Sequence, residues 1–123
     1  MKILVTDDSK MARKMVIKIL NDVLNENVEV FEGQNGQEAF DLYKEHLPKI
    51  VFLDLTMPVM NGFEALSKIK EFDKNAKVVI ISADIQKLSM DKALQLGAFN
   101  FIKKPIDLEK MQQILGKINE LDK

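Results

Sequence analysis

An α/β fold around a single parallel sheet is what this sequence predicts. Three observations carry the prediction. Short apolar runs alternate five times with segments of helical period along 123 residues. The first, third and fourth runs (KILV, IVFL and VVII) are nearly continuous, as in strands covered on both faces. Between successive runs lies enough helix for a right-handed crossover, which parallel strands require.

The elements follow in order. KILVTDD is a branched, apolar strand. Ser9 then opens a helix on which Met11, Met15, Val16, Ile19, Leu20 and Val23 recur at helical spacing. VEVFEG is the second strand, with Gly33, Asn35 and Gly36 as turn residues after it. Ala39, Phe40, Leu42, Tyr43 and Leu47 mark the second helix, closed by Pro48. KIVFLDL is the third strand. Pro58, Asn61 and Gly62 form a loop before a helix carrying Phe63, Ala65, Leu66 and Ile69. KVVIISA is the fourth strand, and Leu88, Ala93 and Leu94 outline a helix that stops near Gly97. FNFIKKP is the fifth strand. Leu108, Met111, Ile114, Leu115 and Ile118 give a last helix of clear period. The seven methionines follow helical spacing and are expected mostly in the core, and the single His46 at the surface.

Composition narrows the function classes. A chain of this length fits one domain, 1–123, with no second output domain expected. Apolar residues make up 46% and charged residues 30%, as in an ordinary globular protein. A net charge of −1 offers no general basic surface for nucleic acid or anionic membrane. No apolar run approaches the ~18 residues that span a bilayer. MKILVTDD does not read as a signal peptide. The absence of cysteine excludes disulfides and thiolate metal sites and fits a reducing, cytoplasmic setting.

Small open sheets of this kind commonly have the flavodoxin-like strand order 2-1-3-4-5, with helices on both faces. Ligands then bind beyond the carboxyl ends of strands 1 and 3, where the order reverses. Asp7, Asp8 and Asp54 all fall at that rim. Strands four and five end there too, bringing Ser82-Ala83 and Lys103-Lys104-Pro105. Clustered carboxylates repel unless a cation or proton relieves them. Mg²⁺ suits such a set, held by one or two carboxylates plus water and phosphate. One carboxylate can then act as a nucleophile toward a phosphoryl group, whose oxygens the ammonium and hydroxyl would bind.

These residues resemble the response regulator receiver domain, and within it the CheY-like, single-domain chemotaxis regulators. The matching segments are DDS at Asp7–Ser9, LDLTMPVMNG at Leu53–Gly62, Ser82-Ala83, and LGAFNFIKKP at Leu96–Pro105. Each is weak alone; together, in this order and spacing, they are specific. Members of this family are themselves standard examples of the 2-1-3-4-5 order.

The resemblance implies that Asp54 is the phosphoacceptor. It implies Mg²⁺ on Asp7, Asp8, Asp54 and the backbone carbonyl of Thr56. Lys104 would bind phosphate, Ser82 would hold the switch hydroxyl, and Phe101 the aromatic switch position. The Lys104–Pro105 bond would be cis. The donor would be a sensor histidine kinase, CheA-like, and the target a protein such as a flagellar motor switch, with a phosphatase as a further partner. A monomer is expected. Thr56 and Asp84 would tune phosphoryl lifetime, and Lys87, Met90, Phe101 and Lys103 are candidates for a partner surface.

Plainer roles stand beside these. Asp7 and Asp8 suit helix capping, Ser82 local backbone bonding, and Phe101 plain packing. Lys104, and still more Lys103, suits protection of a sheet edge. A phosphate sink, a relay intermediate and a non-phosphorylated scaffold would share the receiver fold. A haloacid dehalogenase-type hydrolase also uses an aspartyl phosphate, but needs a second aspartate where Thr56 stands. A flavodoxin-type protein needs a phosphate loop where Asp7 and Asp8 stand.

Overall fold

The computed structural model describes residues 1–24, 28–83 and 86–121, with side chains as far as residue 119. Its elements are β1 (Lys2–Thr6), α1 (Lys10–Val23), β2 (Glu29–Gly33), α2 (Gly36–His46), β3 (Ile50–Leu53), α3 (Gly62–Phe72), β4 (Val78–Ser82), α4 (Lys87–Gln95), β5 (Asn100–Lys103) and α5 (Leu108–Leu121). The five strands form one parallel sheet in the order β2-β1-β3-β4-β5. This is the order expected from the sequence.

Alternation along the strands divides the core in two. Leu4, Val51, Leu53, Val78 and Ile80 pack with Ala39, Tyr43, Ala65, Leu66 and Ile69 of α2 and α3. Ile3, Val5, Ile50, Phe52, Val79 and Ile81 pack on the other face with Val16 and Leu20 of α1 and Met111, Ile114 and Ile118 of α5. Burying each of the larger side chains contributes about 1.5–3 kcal/mol. Ser9, Asn35 and Asn61 cap α1, α2 and α3, their side chains accepting from Ala12, Glu38 and Glu64 amides. At the far end of α2 and α3, the buried Tyr43 hydroxyl donates to Asp73 across 2.7 Å.

Three expectations need correction. Met57, Met60 and Met111 are buried, but Met11 and Met15 are exposed. The inward face of α1 is taken by Arg13, Val16 and Leu20 instead. Leu88 and Leu94 of α4 are also exposed, because this short helix buries only Ala93. His46 is not a free surface residue. It is half-buried and stacks on Phe31 of the edge strand β2 with ring centroids 3.8 Å apart.

Two glycines hold the β3–α3 loop closed. The Gly62 amide donates to the Leu55 carbonyl and the Gly36 amide to the Met60 carbonyl, both at 2.9 Å. A Cβ on Gly62 would lie 2.2 Å from the Asp54 carbonyl oxygen, and one on Gly36 would lie 2.3 Å from that of Met60. Both contacts are with backbone, which cannot swing aside. Within this loop Val59 has φ 66°, a left-handed conformation that a β-branched residue rarely adopts. Gly116, on the exposed side of α5, has open space around it. Gly62→Ala is expected to lower stability by about 2–4 kcal/mol. Gly116→Ala is expected to raise it by about 0.5–1 kcal/mol. Urea unfolding of both variants checks the pair, and equal effects would refute the loop-closure argument.

Candidate functional site

Parallel register brings the acids together. Thr6 pairs with Leu53 across β1 and β3, so the next residues, Asp7 and Asp54, leave the sheet side by side. The Asp54 amide donates to the Thr6 carbonyl at 3.0 Å and the Asp7 amide to the Gly33 carbonyl at 3.1 Å. On the other flank, Ser82 pairs with Lys103, and the Lys104 amide donates to the Ser82 carbonyl at 2.9 Å. Asp7, Asp8 and Asp54 each present a carboxylate oxygen within 4.8 Å of the others. Asp7 and Asp54 are buried and Asp8 is exposed. The structure thus forms a cup of hard oxygen donors with one open wall.

Lys104 reaches into this cup. Its Nζ lies 2.7 Å from Asp7 Oδ2 and 3.6 Å from Asp54 Oδ1. Asp54 Oδ1 also accepts from the Leu55 amide, and Asp7 Oδ1 from the Ser9 amide. The single ammonium does not balance the acids. Burial, with the Asp7 charge acting the same way, pushes the Asp54 carboxyl up to about 6; Lys104 and the Leu55 amide oppose this and Asp8 adds to it. Burial pulls the Lys104 ammonium down, but the hydrogen bond to Asp7 and the charges of Asp54 and Asp7 outweigh it and leave it above the usual lysine range. Three clustered carboxylates, one of them harder to ionise than usual, suit a divalent cation.

The remaining expected residues divide by position. Ser82 is buried at the end of β4, and Thr56 is exposed two residues past Asp54. Asp84 lies outside the described residues. The Lys104–Pro105 peptide bond is cis. Phe101 is half-buried on β5 opposite Ile80, packed against the α2–α3 core. Lys87 and Lys103 are exposed and Met90 half-buried, along α4 and β5. The capping role belongs to Ser9 rather than to Asp7 or Asp8. Sequence reasoning missed Arg13, whose guanidinium is buried against the Asp7 carbonyl; a lone arginine in a run of basic residues carries no mark of burial.

A family model of the response regulator receiver domain matches residues 3–116. The chain belongs to this family. It is 39% identical to the chemotaxis protein CheY of Bacillus subtilis over 116 residues, covering 94% of this chain and 95% of that one. It is 42% identical to CheY of Treponema pallidum, covering 95% of this chain and 81% of the relative. Among solved structures, the CheX–CheY–BeF₃–Mg²⁺ complex of Borrelia burgdorferi aligns with a TM-score of 0.88 and 38% identity, covering 96% of this chain and 88% of that one. The CheY-like receiver domain of Methanospirillum hungatei, at 22% identity, shares the fold with the same TM-score, over 98% of this chain and 95% of that one. The chain is therefore a CheY-type receiver of two-component signalling, a family of signalling proteins rather than conventional enzymes. No helix among the described residues is long and apolar enough to cross a membrane.

The Asp54 carboxyl sets a pH dependence. Its folded value of about 6 exceeds the ordinary 3.8, so the native state holds this proton more firmly than the unfolded chain does. The stability this proton contributes is full below about pH 4 and lost as pH rises through about 6. In metal-free buffer, Asp54→Asn is expected to be more stable than the parent by about 1–2 kcal/mol at neutral pH, allowing for solvent at the rim. The gap is expected to close near pH 4. Urea titrations at the two pH values check this, and a gap independent of pH would exclude carboxylate crowding as its cause.

Proposed function

We propose that this chain is a stand-alone response regulator that accepts a phosphoryl group on Asp54 from a sensor histidine kinase. It then signals through a protein-binding surface that changes with phosphorylation, with chemotaxis as the leading setting. The observation that carries this reading is the position of Asp54. It is buried in the acid cluster, 3.6 Å from the Lys104 ammonium, at the ligand-binding edge of the sheet.

The chemistry follows from these side chains. An Asp54 carboxylate oxygen attacks phosphorus, and the phosphorus–nitrogen bond to the donor imidazole breaks. The imidazole leaves with the bonding electron pair and takes up a proton. Lys104 stands where its ammonium can turn from Asp7 to a phosphoryl oxygen and offset the charge that spreads there. Asp7, Asp8, Asp54 and the Thr56 carbonyl would hold Mg²⁺, which when bound supplies further charge compensation. Water attack on the acyl phosphate returns Asp54 and inorganic phosphate; Thr56, two residues past Asp54, and Asp84, two past Ser82 in sequence, are the positions proposed to tune it. The Borrelia CheY complex, which contains BeF₃ and Mg²⁺, supports the same assignment here.

Output is read through β4 and β5. Ile80, Ser82, Phe101 and Lys103 share one sheet face by alternation and pairing. A Ser82 hydroxyl drawn toward the phosphoryl group would leave space into which Phe101 can turn. The thin cover given by α4, which carries Lys87 and Met90 and buries only Ala93, supports this face as the partner surface. The kinase, a motor-switch target and a phosphatase are the partners implied. A phosphate sink or a phosphorelay intermediate would use the same site without the output step.

A small phosphoramidate or acyl phosphate donor tests the chemistry. With Mg²⁺ the parent is expected to gain one phosphoryl group by intact mass, and to gain none without it. Asp54→Asn is expected to gain none in either case, and Lys104→Met to react at least roughly 10-fold more slowly. Labelling that survives in Asp54→Asn would overturn the assignment. Steady turnover of a small phosphoester would favour the hydrolase reading. Thr56 and Asp84 variants are expected to change the rate of phosphoryl loss more than Mg²⁺ affinity, and unchanged decay in both would remove their lifetime role. Capture of a partner by only one of the two forms would support a signalling output over a sink.

A further inference from the structure

We infer that Arg13 is a positioning residue for the acid cluster, orienting Asp7 and Asp8 toward a divalent cation through the Asp7 carbonyl. The inference rests on the reading that these acids and Asp54 bind such a cation. Arg13 lies in a stretch, KMARK, that looks like a solvated basic face. Instead it is 7% exposed. Its Nη1 donates to the Asp7 carbonyl at 2.8 Å and its Nε to the Glu32 carboxylate on β2 at 3.0 Å. A buried guanidinium stays charged and needs fixed partners, and its planar fork sets the directions of both bonds together.

The carbonyl that Arg13 holds belongs to the peptide plane joining Asp7 to Asp8. That plane is rigid, so anchoring its oxygen constrains how the two carboxylates are disposed about it. The other polar groups of Asp7 are held as well. Its amide donates to Gly33, and its carboxylate accepts from Ser9 and Lys104. Without Arg13, the carbonyl and the exposed Asp8 beyond it would turn more freely.

Charge alone predicts the opposite outcome. Arg13 is a cation beside the cluster, so deleting its charge would favour a bound cation if Coulomb repulsion were its only effect. Calorimetric titration with Mg²⁺ or Mn²⁺ separates the two. Arg13→Met, which keeps the length and apolar stem, is expected to weaken binding by about 10-fold or more, the scale typical of groups that orient metal ligands. Arg13→Lys keeps the charge but not the fork, and is expected to bind more weakly than the parent and more tightly than Arg13→Met. Tyr43→Phe, which loosens the fold at the far end of α2 and α3, is expected to lower the urea midpoint and leave metal affinity unchanged. Unchanged or tighter binding by Arg13→Met overturns the inference, as does equal weakening by Tyr43→Phe. If Arg13→Met fails to fold, binding by Arg13→Lys as tight as the parent's overturns it equally. Absence of metal binding by the parent would instead overturn the cation reading, and this inference with it.

Discussion

Three carboxylates crowded at one edge of the sheet are the constraint on which the rest of the structure turns. Their carboxylate oxygens lie within 4.8 Å of one another, close enough for the two buried acids to repel strongly, with Asp8 partly screened by solvent. Lys104 offsets only part of this, and burial raises Asp54 further. The crowding persists because the backbone leaves the acids little room to part. Strand bonds fix the Asp7 and Asp54 amides, Arg13 fixes the Asp7 carbonyl, and Gly62 packs directly against the Asp54 carbonyl. The cluster is an unfavourable charge arrangement held by favourable packing elsewhere. That packing is the two-sided core.

The fold was legible because its signals are local and repeated. Apolar runs such as IVFL and VVII, separated by helical period, define parallel strands whatever their partners. The acid cluster was legible because strand order turns sequence positions into neighbours. What escaped depends on geometry between elements. Arg13 reads as surface charge until the packing of α1 against β1 and β2 turns it inward. Leu88 and Leu94 read as a buried stripe, but α4 is too short and too peripheral to bury them. Met11 and Met15 follow helical spacing yet sit beside the inward arc of α1 rather than on it. His46 stacks on a ring 15 positions earlier in the chain, a pairing no local pattern announces.

One face of the sheet is unevenly covered along its width. α2 and α3 bring buried stripes to it, while α4 contributes only Ala93. Phe101 lies beneath the thinner cover, half-buried, on the same face as Ser82 by alternation. A change at the rim therefore meets least resistance along β4 and β5. On the proposed function, that packing gives the molecule a direction from input to output.

The pairing of Thr6 with Leu53 has one more consequence. Strand register moves only in whole residues, and a slip of one would turn each buried side chain of β3 to the opposite face. The separation between the two buried acids is therefore a discrete quantity that cannot drift by fractions of an ångström as sequences diverge. The exposed side chains of Thr56 and Val59, beyond the end of β3, lie outside this register. On the proposed function, timing and partner choice are set by such side chains around a centre whose spacing is effectively digital.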